Sequence, residues 1–498
     1  MKNEILIINE ADNVAVALKP LKKGFTFTAG DCKITVLSDI EAGHKIAIKN
    51  IRKGENIIKY GFPAGHAIYD ISAGSHVHCH NMGTNLEGLL EYRYEKADMP
   101  SFQKKHAVFM GYRRENGRTG IRNEIWIINT VGCVNKIAEK LAQEANRLFA
   151  GRTDGVYAFC HPHGCSQLGD DLDTTRKILA GLVNHPNAAG VLVLGLGCEN
   201  NNIASFREYL MHGTSYNSER IRFLSLQEVH DEIDAGLSLI GELVEYAEKF
   251  EREPCPVSSL TVGLKCGGSD AFSGITANPL VGALSDIIIT HGGSAILTEI
   301  PEMFGAETIL MNRCADEETF NGMVSLINNF KNYFMRYNQP VYENPSPGNR
   351  DGGITTLEEK SLGCIYKGGT SPVVDVLDFG DQVKTCGLNV LNGPGNDIVS
   401  VTNLAASGAQ LILFTTGRGT PLGAPVPVVK ISSNTRLYEL KPGWIDYNAG
   451  VLLDGASLDD SARELFGLVL KIASGEAAAK NELNGCREIA IFKDGVTL

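Results

Sequence analysis

A small β-rich domain followed by two α/β regions is the fold class this chain predicts, and three observations carry it. Residues 1–95 hold short apolar runs broken by glycine turns, without helical periodicity. From Phe109 onward, strand-like apolar runs alternate with amphipathic helical stretches, the pattern of α/β sheets. At 498 residues the chain is also too long for one core and divides into two or three domains.

Taken in order, Ala15–Leu18, Lys33–Val36, Lys45–Ala47 and Ile57–Tyr60 read as strands, set apart by turns such as Lys23–Gly24 and Ala42–Gly43–His44. They predict a β domain over 1–95. Tyr94–Lys105 is polar, contains Pro100 and reads as a linker. An α/β domain is expected over 106–252. Glu124–Thr130 is strand-like there, and Lys136–Phe149 places Ile137, Leu141, Ala145 and Leu148 on one helical face. Gly155–Phe159 and Gly190–Leu194 read as buried parallel strands, and Glu228–Phe250 as a long amphipathic helix. Arg252–Pro256 (REPCP) reads as a boundary. A C-terminal α/β domain is expected over 257–498, with strands near Leu260–Leu264, Ala295–Thr298 and Leu411–Thr415. Glu317–Tyr337 carries Phe320, Val324, Ile327, Phe330 and Phe334 at helical spacing. Asn344–Gly353 (NPSPGNRDGG) is too turn-rich for a regular element.

Composition narrows the function. A net charge of −12 argues against nucleic acid or an anionic membrane as partner, since both demand clustered Lys and Arg. No apolar run approaches the ~20 residues of a membrane span. The segment MKNEILIINEADN has acids within its apolar run and does not read as a signal peptide. Twelve cysteines in such a chain point to reduced thiols in the cytoplasm.

The chemistry gathers at histidines and cysteines. In Ile68–Asn81 (IYDISAGSHVHCHN), His76, His78 and His80 recur at every second position, on one face if the segment is extended. Imidazole is both the commonest metal ligand and the side chain that titrates near neutrality. Cys133 (TVGCVN), Cys165 (CHPHGCSQ), Cys198 (GLGCENN) and Cys266 (LKCGGSD) each lie just past an expected strand, where open α/β sheets bind ligands. Acids and bases in the same turns are His161, His163, Glu199, Asp270 and Glu299. There is no CxxC pair, so neither a zinc ribbon nor a thioredoxin-type couple is expected. Thiolate and imidazole from separate strand ends favour zinc, ferrous iron or an iron–sulfur cluster over magnesium or calcium. Thr416–Pro421 (TGRGTP) could wrap an anion but lacks the Walker ending, and without a GxGxxG fingerprint a nicotinamide cofactor is not expected.

At these motifs the whole chain resembles the altronate/galactarate dehydratase family, which also includes sulfolactate sulfo-lyase. The resemblance runs from KYGFPAGHAIYDISAGSHVHCHN through YRRENGRTGIRNEIWIINTVGCVN, HPHGCSQLGDD and GLGCENN. It continues through CGGSDAFSGITANP, TEIPEMFGAE and ENPSPGNRDGGITTLEEKSLGC to REIAIFKDGVTL. His163 stands where the family motif carries tyrosine. The resemblance implies an antifreeze-like (SAF, β-clip) domain over 1–95 and dependence on Fe2+, with Mn2+ as substitute. It implies a hydro-lyase that converts D-altronate to 2-keto-3-deoxy-D-gluconate and water. Galactarate dehydration, sulfolactate cleavage, and a non-enzymatic sugar-acid or iron-binding role are the alternatives. Expected roles are His76, His78 and His161 for acid/base catalysis, and Cys165, Cys198, Cys266, His80 and Glu199 for metal. Arg122, Asn123, Ser269, Asp270, Ser346, Asn349 and Arg418 are expected to bind substrate. The partner is a small sugar acid, and a homo-oligomer is expected.

Overall fold

The computed structural model describes residues 4–100, 103–213 and 217–495. The N-terminal part is built of β-strands, as expected. Ile5–Leu6, Val14–Ala17, Lys45–Ala47 and His76–Val77 form an antiparallel sheet in that order, flanked by two smaller sheets. Val14–Ala17 is buried throughout, so this small domain has a core of its own around Ala15, Leu21, Ile34, Val36 and Ile46.

Two parallel sheets follow. The first orders Val156–Phe159, Glu124–Asn129, Ala188–Gly195 and Ile221–Ser225 side by side. Ala188–Gly195 (AAGVLVLG) is buried at every position because helices cover both faces, which explains its continuous apolar run. The second sheet has seven parallel strands. Its centre pairs Ser294–Leu297, Thr261–Cys266 and Leu411–Thr416. In both sheets the order reverses beside the first strand: between Glu124–Asn129 and Ala188–Gly195 in one, and between Thr261–Cys266 and Leu411–Thr416 in the other. A crevice opens outside the carboxyl ends at such switch points.

The two sheets share a core through the helices Gly169–Val183 and Asp397–Ala406, which meet around Ile178, Leu182, Leu404 and Ala405. Their approach is close enough that a Cβ on Gly181 would sit 2.3 Å from the Ala406 carbonyl. Glu253–Pro256 is itself a strand, paired antiparallel with Val108–Arg113. Of the expected linker, residues 101 and 102 lie outside the described residues. The rest is anchored to the C-terminal part, with the Tyr94 hydroxyl donating to the Cys314 carbonyl at 2.6 Å. Asn344–Gly353 contains a short helix, Pro347–Asp351, because Ser346 and Asn349 cap its first turn reciprocally. Among the described residues no helix is long and apolar enough to cross a membrane.

Candidate active site

The β domain is pinned to the C-terminal part by buried charge. Lys45 Nζ donates to the Gly353 carbonyl (3.0 Å), Thr355 Oγ1 (2.7 Å) and Glu359 Oε2 (2.8 Å), and Lys59 Nζ donates to Glu359 Oε1 (2.8 Å). Burial alone would raise the Glu359 carboxyl, but the two ammonium groups outweigh it and hold it at about 2. Truncating Glu359 would leave two buried cations without a counter-charge. Glu359→Ala is therefore expected to destabilise the protein by about 3–5 kcal/mol, read as a lowered Tm.

This docking assembles a histidine cluster. The chain leaves the strand after Val77 because Asn81 turns it: Asn81 Oδ1 accepts from the His78 amide at 2.9 Å and the Asn81 amide donates to the His78 carbonyl at 2.9 Å. His76, His78 and His80 are thus not a flat strand face, yet their rings still gather. His44, from the preceding strand's approach, joins them with centroids 5.1 Å from His76 and 5.0 Å from His78. His80 is exposed, its ring centroid 5.3 Å from that of His76.

The network sets the tautomers. The Asp351 carbonyl can only accept, so His44 Nε2 carries the proton that points to it (3.4 Å). In the neutral ring, His44 Nδ1 is then an acceptor, and the atom facing it at 3.0 Å, His76 Nε2, is the donor. That leaves His76 Nδ1 with a basic lone pair. All three rings are kept neutral mainly by burial, which lowers His44 and takes His76 down to about 3 and His78 to about 4. His78 Nδ1 meets Thr355 Oγ1 at 2.8 Å, the same hydroxyl that Lys45 holds.

A second group lies at the switch point of the seven-stranded sheet. Cys266 Sγ, Cys364 Sγ and Glu302 Oε2 form a triangle with all three edges 3.4 Å. Its corners are about 2.0 Å from its centre, matching the ~2.0–2.3 Å of metal–oxygen and metal–sulfur bonds. Among the described residues this is the one set of three His, Cys, Asp or Glu ligand atoms all within 4.8 Å. Two thiols and a carboxylate suit iron or zinc better than magnesium. Three buried lysines surround the triangle. Lys367 Nζ donates to Cys266 Sγ at 3.0 Å, Lys360 Nζ to Glu302 Oε1 at 2.7 Å, and Lys265 pairs with Glu299. Burial would raise Glu302, but these ammonium groups bring it to about 2. Glu299 reaches them from a left-handed backbone (φ 74°), a conformation that a non-glycine residue holds only under local constraint.

Between the β domain and this sheet lies a cleft of about 870 Å³, lined by Glu41, Asp351, Asp270, Arg418 and Arg436 among others. Arg418 and Arg436 are exposed in it. Asp270 is buried at its inner wall, held by Ser273, Ser433 and Asn434, and burial pushes its carboxyl up against those hydrogen bonds. Asp270 also borders a water-sized gap that leads to Lys360 and Cys364. Ser269 Oγ is buried without a protein partner beside it.

Other expected residues lie elsewhere. His161 is buried, its Nε2 2.7 Å from the Asn129 carbonyl and its Nδ1 accepting from the His163 amide at 3.1 Å, so no nitrogen is free for acid/base work. Glu199 shapes its own turn, accepting from Thr130 Oγ1 and the Leu196 and Gly197 amides. Cys165 and Cys198 are exposed over the other sheet and do not join the Cys266 triangle. Arg122 and Asn123 precede the strand Glu124–Asn129, at the end opposite its crevice. Arg122 is clamped to Glu482 and two carbonyls, and Asn123 to Arg114 and the Ala247 carbonyl. Asn349 Oδ1 accepts from the Ser346 hydroxyl and Lys360, and its amide donates to the Ser269 carbonyl, so the pair pins the loop. His44, Lys45, Glu302, Glu359, Lys360, Cys364 and Lys367 were not among the expected site residues. The available signal was charge within otherwise apolar or tightly turned segments such as LKCGG and EEKSLGCIYKGG.

The neutral, buried histidines fix a pH response. Burial takes His161 to about 4 and His185 to about 3. Between those values and the unfolded value near 6.5, the unfolded chain binds protons that the native rings do not. Stability is therefore expected to be unaffected by these rings above about pH 7 and to fall as pH drops below about 6.5, in thermal melts across that range.

Three family models match consecutive stretches: Altronate/galactarate dehydratase SAF domain over 3–85, D-galactarate dehydratase/Altronate hydrolase second domain over 111–248, and D-galactarate/Altronate dehydratase C-terminal over 257–497. The altronate dehydratase of Bacillus subtilis is 52% identical over 99% of both chains, and that of Escherichia coli 50% identical over 99% of both. The chain belongs to the D-galactarate/altronate dehydratase family. The Escherichia coli galactarate dehydratase (L-threo-forming) is more distant, at 32% identity over 97% of this chain and 96% of its own. For a hydro-lyase of this family a metal is suggested, and the Cys266–Glu302–Cys364 triangle is the group that fits one.

Proposed function

We propose that this chain dehydrates D-altronate, taking the C2 proton and the C3 hydroxyl to leave 2-keto-3-deoxy-D-gluconate and water. The observation that carries the reading is the end-to-end likeness to altronate dehydratases, which spans both the β domain and the α/β parts. Arg418 and Arg436 offer the cleft a cationic clamp for one carboxylate. His76 Nδ1, the one basic lone pair that the His44 relay leaves, removes the C2 proton. That proton departs with the C3 hydroxyl as water through the His76–His78 pair, whose rings lie 5.6 Å apart. Asp270, Ser269 and Asn434 supply polar groups for the hydroxyls.

Cys266, Glu302 and Cys364 would hold iron(II), with manganese as substitute. When bound, the ion polarises a substrate oxygen as a Lewis acid. The lysines around it hold the Glu302 carboxylate charged, while the neighbouring Cys266 and burial push the Cys364 thiol up, so binding an ion there would release its proton.

The test is turnover with matched substrates. D-altronate is expected to have kcat/KM at least ~10²-fold above galactarate and sulfolactate, because a site built to hydrogen-bond particular hydroxyls leaves buried groups unpaired with the wrong one. Comparable rates on galactarate would move the enzyme to the neighbouring branch of the family. Release of sulfite as the best reaction would reject the hydro-lyase reading.

A further inference from the structure

The first parallel sheet carries a group that the proposed reaction does not use. Glu124–Asn129, Val156–Phe159 and Ala188–Gly195 are neighbours, and each runs out into a turn bearing an exposed cysteine: Cys133, Cys165 and Cys198. Asn129 pairs with Leu194, and Cys133 and Cys198 each lie four residues beyond that pair. They therefore flank the switch point of this sheet, where a ligand crevice is expected. Cysteine is otherwise among the most buried residue types, so three exposed thiols on adjacent strand ends call for a reason.

The turns are laced to one another rather than splayed. The Gly132 amide donates to the His163 carbonyl (2.9 Å), the Asn201 amide to the Gly164 carbonyl (3.1 Å), and the Ser166 amide to Asn200 Oδ1 (2.8 Å). Gly164 presses so closely on the neighbouring strand end that a Cβ there would sit 1.9 Å from the Thr130 carbonyl oxygen. Gln167 is 1% exposed and accepts from the Gly164 amide through Oε1, while its Nε2, a donor beside the Cys165 turn, has no protein partner. Cys198 Sγ already accepts from Gln227 Nε2 at 3.7 Å. Buried or fixed amide donors around thiols are what sulfur-rich anionic groups require.

We propose that Cys133, Cys165 and Cys198 are the protein ligands of a four-iron iron–sulfur cluster, whose fourth iron takes an oxygen donor from outside the chain. A single ion needs its three sulfurs close together, and these cysteines fall outside the one group, among the described residues, whose ligand atoms all lie within 4.8 Å. A cubane holds its thiolates further apart, each on a different iron, as three separate strand ends do. The site is independent of the hydro-lyase reading and of the Cys266 triangle.

The full-length protein, reconstituted anaerobically with ferrous iron and sulfide, is expected to bind about four acid-labile sulfides per chain and about four irons beyond the one at the triangle. Cys133→Ser, Cys165→Ser and Cys198→Ser should each lose the sulfide, whereas Cys32→Ser should keep it. A second measurement needs no variant: iodoacetamide labelling with peptide mapping should find the three thiols protected after reconstitution and labelled after chelation. No acid-labile sulfide after reconstitution, sulfide retained by all three serine variants, or equal labelling in both states would overturn the cluster.

Discussion

His76→Ala is expected to lower kcat by at least ~10²-fold with KM changed only a few-fold, the usual scale for losing a general base. The reason is the tautomer chain: the Asp351 carbonyl fixes His44, His44 fixes His76, and Nδ1 of His76 is left as the free base. His80→Ala is the control, since that ring is exposed and makes ring contact alone, and it should change kcat by less than a few-fold. Because burial holds His76 at about 3, the base stays unprotonated well below the ordinary imidazole range. An effect confined to KM, or an equal effect at His80, would reduce the β domain to a lid.

Cys364→Ala is expected to abolish binding of the ion at the triangle and lower metal-dependent activity by at least ~10²-fold, the upper end of what altering even an outer-sphere partner does. The geometry behind this is three equal 3.4 Å edges, with Lys360 holding the Glu302 carboxylate charged. Glu302→Gln should act in the same direction, because it removes the oxygen donor while keeping the shape. Activity that survives in both variants, with unchanged response to added iron or manganese, would remove the triangle from the mechanism.

Much of the architecture was readable in advance because it is written in local periodicity. Lys136–Phe149 and Glu317–Tyr337 read as helices, and Asn135–Leu148 and Glu317–Arg336 are helices. The runs at Glu124, Gly190, Leu260 and Leu411 became the parallel strands of two sheets. Placing Cys133, Cys165, Cys198 and Cys266 at strand ends followed from the same pattern. Boundaries were harder where side chains compete with the ladder, as where Asn81 ends the His76–Val77 strand early.

Partners at a distance were not readable. Arg122 and Arg418 look alike in sequence, both arginines in glycine-containing turns, but one lies at the amino end of its sheet against Glu482 and the other opens into a cleft. His161 sits beside a reactive-looking cysteine, yet its two nitrogens are taken by backbone groups. Cys266 and Cys364 are 98 residues apart, and their meeting depends on the helix Leu357–Cys364 packing beside the end of a strand. By itself the sequence determined the fold class, the strand-end cysteines and the histidine row, because burial periodicity and turn chemistry act over a few residues. Only the tertiary structure decided which of those groups share a site, since the charge, donor and acceptor that complete each one come from segments brought together by packing alone.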